Sequence, residues 1–110
     1  MRKALAEQGF GIMAEIDVAT TLKNKIGAEI PATVILGACN PPLAHRALTA
    51  VPDVSVLLPC NVVVREKDGR IEVAAINPLV MVSVFRDNAE LLAVAQEADS
   101  RIRKAMKTLE

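Results

Sequence analysis

At 110 residues with 52% hydrophobic side chains, the chain suits one domain with its own core and needs neither disulfides nor a structural metal to fold. Lys and Arg total 13 and so do Asp and Glu, and Phe10 and Phe85 are the only aromatics, which denies nucleic acid both a positive field and a stacking surface. No apolar run approaches the roughly 20 residues of a membrane span. The basic start at Arg2 and Lys3 meets Glu7, Gln8 and Gly9 before any leader-like apolar core develops. Two cysteines without a secretion leader point to free thiols in a reducing compartment. The expectation is a cytoplasmic protein with no nucleic-acid or membrane partner.

Arg2 to Gln8 reads as a short helix closed by Gly9, which takes a left-handed conformation at little cost. Gly11 to Ile16 alternates as a strand, with Ile12, Ala14 and Ile16 on one face and Met13 and Glu15 on the other. Asp17 supplies an N-cap for a helix over Val18 to Ile26, and Gly27 ends it. Thr33 to Ala38 is a strand rich in β-branched residues and bounded by Pro31 and Gly37; Asn40 and Pro41 then start a helix that continues through Ala44 to Ala50 and stops before Pro52. Val54 to Leu58 and Asn61 to Arg65 are apolar runs separated by Pro59.

Lys67-Asp68-Gly69-Arg70 predicts a tight hairpin turn, after which Ile71, Val73 and Ala75 share one face of the returning strand. Asn77-Pro78 breaks that strand. Leu79 to Phe85 is apolar but too short for its period to decide between strand and helical turn. From Asn88 onward, Leu91, Ala95, Ala98, Ile102, Met106 and Leu109 recur at helical spacing, with Glu97 and Arg101 four apart on the exposed side. Asp87 and Glu90 near its start and Arg103, Lys104 and Lys107 near its end complement the helix dipole. The elements sum to an α+β fold: an antiparallel sheet with helices packed on one face, one domain over residues 1–110 and a long C-terminal helix.

Cysteine is followed by asparagine twice, in Gly37-Ala38-Cys39-Asn40-Pro41 and in Leu57-Leu58-Pro59-Cys60-Asn61. Together with Gly9-Phe10-Gly11, Glu15-Ile16-Asp17, Val62-Val63-Val64 and Asn77-Pro78, these segments resemble the bacterial and archaeal domain-of-unknown-function family 302 over nearly the whole chain. The resemblance implies a compact α+β domain, described as a homodimer, and implies no activity. Compared with the family pattern, the chain begins inside the first helix and lacks the strand expected before it. An exposed sheet edge is the consequence to look for.

The candidate site comprises Cys39, Asn40, His45, Pro59 and Cys60. Cys39 precedes a helix start, where the positive end of the helix dipole favours a thiolate. Cys60 follows Pro59 at a strand boundary, and both strands can end on the same side of the sheet. The two thiols then form a redox pair or, with His45 and Met81, a soft ligand set suited to zinc or cuprous copper. Against this stands the tendency of free cysteine to be a small buried hydrophobe and of Met13, Met81 and Met106 to fill core gaps. Asn40 and Asn61 have capping and turn roles of their own, and so do Asp17 and Asp53.

No nucleophile elbow, phosphate loop or metalloprotease motif occurs, and a Cys39–His45 dyad lacks an orienting third group. The sequence favours a dimeric ligand-binding or interaction module with no cofactor. A thiol redox or soft-metal protein and a structural self-association domain are the alternatives.

Overall fold

β-branched segments joined by short connections make one four-stranded antiparallel sheet in the order β1-β2-β3-β4, with β1 Gly11–Asp17, β2 Thr33–Cys39, β3 Cys60–Lys67 and β4 Arg70–Ala75. A computed structural model describes residues 2–86 and 88–108. The helices are α1 Arg2–Glu7, α2 Val18–Ile26, α3 Pro41–Ala50, α4 Val80–Val84 and α5 Ala89–Thr108, with a 3₁₀ turn at Pro52–Leu57. The expected places of Asp87 and Leu109 in the last helix lie outside the described residues.

Punctuating residues work as their chemistry dictates. Gly9 closes α1 with φ +83°, and Gly27 closes α2 with φ +69° while its N–H donates to the Lys23 carbonyl. Asp17 Oδ1 accepts from the Thr20 N–H at 3.0 Å, capping α2. Asp68 (φ 52°) and Gly69 (φ 75°) both take the left-handed conformation that a two-residue hairpin between twisted strands demands. Across that hairpin Arg65 hydrogen-bonds Glu72 and holds its carboxyl below the usual range. The ambiguous Leu79–Phe85 segment resolves as the short helix α4, because Asn77 Oδ1 accepts from the Leu79 N–H and winds the chain directly after Pro78.

One face of the sheet carries the core. Leu36 pairs with Val62, Ala38 with Cys60 and Val62 with Ala75, and these side chains meet Leu5, Phe10, Val54, Leu91 and Val94. The 20-residue α5, about 30 Å long at 1.5 Å per residue, supplies Leu91, Val94, Ala95, Ala98, Ile102 and Ala105 to that core. Glu97 and Arg101 pair on its outer side at 2.8 Å.

The strict alternation read along β1 is corrected by a β-bulge. Ile12 pairs with Ala38 and Ala14 with Gly37, so Met13 is the extra residue and every side chain after it changes face. Ile12 joins the core, whereas Ala14 and Ile16 point away from it, opposite Gly37 and Ile35. The outer face then presents a continuous apolar row across all four strands, Ile16–Ile35–Val63–Ala74. α2 contributes no buried side chain, so its ends are fixed by caps rather than by packing.

Candidate functional site

At the sheet's α3 end lies a cavity of about 280 Å³ whose wall is almost wholly apolar. It forms because β2 ends at Cys39, α3 departs at once from the cap Asn40, and β3 begins at Cys60 opposite Ala38. Leu43, Ala44, Ala47 and Leu48 of α3 form one wall. Val94 and Ala98 of α5, with Phe10 and Met81, close another. Small side chains at 38, 44, 47 and 98 leave the space that larger residues would fill.

Four of the five residues singled out from the sequence line this cavity: Cys39, Asn40, Pro59 and Cys60. His45 does not. It is exposed on the opposite side of α3, in a shallow surface hollow with Arg46, Thr49 and Glu90. His45 sits one and a half turns from Cys39 along the chain, and the helix rotation over that distance carries its ring away from the sheet. Among the described residues no three His, Cys, Asp or Glu side chains are close enough to hold a metal ion.

Asn40 is 5% exposed and, among the described residues, the one buried polar side chain. Its Oδ1 accepts from the Leu43 N–H at 3.2 Å, and its carbonyl accepts from the Ala44 N–H at 2.9 Å. Pro41 and Pro42 have no N–H to offer. The first turn of α3 therefore keeps no free amide.

Both thiols are unpaired, Cys60 buried and Cys39 half-buried. Burial first, and the neighbouring Cys39 second, push the Cys60 thiol up to about 11. The two sulfurs are thus close enough to feel each other's charge. Cys60 is protonated at neutral pH and is a poor nucleophile there.

The sequence reading missed Met13 as a cavity residue. The bulge in β1 is what swings it to the rim, where it lines the cavity while remaining 66% exposed. A bulge leaves no mark in the residue pattern beyond an apolar residue on the face meant for solvent.

The family model described as "Domain of unknown function DUF302" matches residues 1–109. The chain belongs to this family. A solved structure, the crystal structure of an uncharacterized conserved protein DUF302 from Bacillus stearothermophilus, superposes with a TM-score of 0.87 at 28% identity. The match covers 96% of this chain and 82% of that one. No curated protein sequence matches. Among the described residues of this DUF302 domain, no helix is long and apolar enough to cross a membrane.

Proposed function

We propose that this DUF302 domain is a ligand-binding module whose small ligand enters the apolar cavity between the sheet end, α3 and α5. The observation that carries this reading is a cavity of about 280 Å³ at the lower edge of the size range of small-molecule sites, open at a rim formed by Met13, Leu48 and Pro59. A void of that size in a 110-residue domain forfeits dispersion contacts that larger side chains would supply. Among the described residues no charged side chain lines it, so the occupant is one that loses little on leaving water.

The module works as a homodimer in this reading. The row Ile16–Ile35–Val63–Ala74 lies on the sheet face turned away from the core, and Ile16 is 50% exposed. An antiparallel sheet with one solvated face ordinarily places polar residues there, and a contiguous apolar row is the mark of an interface.

Xenon tests the cavity because it fills apolar space without needing a polar contact. Amide and methyl shifts under xenon pressure are expected to concentrate on Ala38, Leu43, Ala47 and Cys60, and to vanish in Ala44→Leu, which fills the space. Unperturbed shifts at those residues would remove the cavity from consideration as a binding site. Sedimentation velocity tests the second element: Val63→Lys should convert a dimer to a monomer with unchanged circular dichroism, and a monomeric wild type would refute dimer formation through this face.

A further inference from the structure

A second hollow, of about 460 Å³, opens between the start of α3 and the Glu97–Arg101 stripe of α5. It shares only Asn40 and Leu43 with the apolar cavity, and its wall carries charge: Arg46, Glu97 and Arg101, beside Gly9. Capping explains half of Asn40. Its Oδ1 accepts from the Leu43 N–H, whereas its Nδ2 donates to no group among the described residues although the residue is only 5% exposed. That nitrogen is not sealed inside the protein. A Cβ on Gly9 would lie 2.8 Å from it and 3.1 Å from Arg101 Nη1, so two donors from different helices converge beside a residue with no side chain. Arg101 Nη1 has only a long 3.4 Å bond to the Gln8 carbonyl. Aspartate at residue 40 would cap α3 equally well and pair with Arg101. Asparagine instead adds a donor to a donor.

We infer that this hollow binds a tetrahedral oxyanion of the phosphate class, held by Asn40 Nδ2 and by the Nη groups of Arg101 and Arg46. The bare Cα of Gly9 leaves the approach to the Asn40 nitrogen open. The site lies outside the apolar cavity and does not depend on the reading of that cavity.

The arginines are placed for this task. Each spends its Nε–H on one carboxylate oxygen, Arg46 on Glu90 at 2.7 Å and Arg101 on Glu97 at 2.8 Å. A guanidinium has five N–H donors, so both keep Nη–H groups for a ligand while their carboxylates stay in place. Of those two carboxylates only Glu97 belongs to the wall, which therefore holds two cations against one anion. The first turn of α3 adds no amide, its N–H groups being capped or replaced by proline, and recognition falls to side chains. A carboxylate is satisfied by one guanidinium fork in a single plane. Donors on three side chains of two helices suit an anion whose oxygens point in several directions.

The test is titration of the intact, isotope-labelled chain with inorganic phosphate, and with acetate in parallel, followed by nuclear magnetic resonance. Sodium chloride holds the ionic strength constant, because exposed charges are screened by salt. Saturable shifts in the millimolar range are expected at the Asn40 side-chain amide, the Gly9 N–H and the Arg101 Nε–H, with acetate binding more weakly. Asn40→Asp keeps the cap and sets a carboxylate in place of the donor, so the folded variant should lose phosphate binding. Arg101→Gln and Arg46→Gln should each weaken it by about tenfold or more, as loss of a hydrogen bond to a charged group does. Arg103→Gln, on the same helix but paired with Asp99 outside the hollow, should leave it unchanged.

Shifts that do not saturate, shifts as large at Arg103 as at Arg101, phosphate binding that survives Asn40→Asp, or acetate bound more tightly than phosphate would each overturn the inference. Should Asn40→Asp fail to fold, Arg46→Gln decides, because that side chain is 46% exposed and its loss spares the core. Unchanged phosphate affinity in Arg46→Gln would overturn the site. Xenon entering the apolar cavity while phosphate does not bind here would end this inference and leave the cavity reading intact.

Discussion

The ring of Pro59 lies against the backbone of Gly37: a Cβ at residue 37 would fall 2.8 Å from Pro59 Cγ and 3.2 Å from the Ala14 Cβ. The missing side chain lets the chain enter β3 flush against β2, which is what sets Pro59 and Cys60 in the cavity wall. Proline cannot yield as a flexible side chain would, so the backbone must move instead. Gly37→Ala is therefore expected to cost about 1–3 kcal/mol in urea unfolding, as overpacking does. The same variant should shift the amide resonances of Asn61, the cross-strand partner of Gly37, and of its chain neighbour Ala38. Unchanged stability would mean that β3 can enter the sheet equally well without this contact.

Asn40 joins the cap of α3 to the cavity. Its Oδ1 occupies the Leu43 amide, and its Nδ2 would lie 2.8 Å from a Cβ built on Gly9. Asn40→Ala should lose about 1–2 kcal/mol, the cost of an uncapped helix, while Asn40→Ser, which keeps an acceptor, should lose less. Thermal unfolding of the pair separates capping from bulk: equal losses would assign the effect to the volume removed and not to the hydrogen bond.

The Cys60 thiol carries a pH signature of definite sign. Its folded value of about 11 lies above the ordinary 9.0, so the folded state holds the proton more tightly than the unfolded chain does. The group adds nothing to the pH dependence below about 9, where both states are protonated. Stability is then lost as pH rises through the window from about 9 to about 11, by up to roughly 2–3 kcal/mol. Cys60→Ala should flatten the alkaline limb of a stability profile measured by urea unfolding. Iodoacetamide at pH 8 should modify Cys39 well before Cys60, and equal rates would show that Cys60 is neither shielded nor raised.

Local chemistry announced most of this fold. Asp17, Asn40 and Gly27 act on atoms within four residues, so their roles can be read along the chain. The Asp68-Gly69 turn and the α5 stripe are legible for the same reason: backbone sterics in one case, a repeat of 3.6 residues in the other. The cavity was half legible. Cys39 and Cys60 flank chain breakers, and breakers mark where strands end, so their meeting at one end of the sheet follows from antiparallel pairing. His45 failed because a position on a helix says nothing about its face until the helix is docked. Met13 failed because a bulge is a relation between two strands, and the residue pattern of one strand does not contain it.

Met13 also offers a way to separate the bulge from the sheet. Residues on either side of it already hold regular partners, Ile12 with Ala38 and Ala14 with Gly37. Deleting Met13 would leave those pairs in place and convert the interrupted ladder into an uninterrupted one, so no register shift follows downstream. The deletion is expected to fold with a stability within about 1 kcal/mol of wild type, as for a surface change that breaks no core contact. Hydrogen exchange should show the Ile16–Ile35 and Glu15–Leu36 pairs protected as before. The cavity rim, by contrast, loses its thioether outright. If the deletion instead unfolds the protein or slips β1 by one residue, the extra residue is required for the sheet to close on its helices, and its placement at the rim follows from that need and not from the cavity.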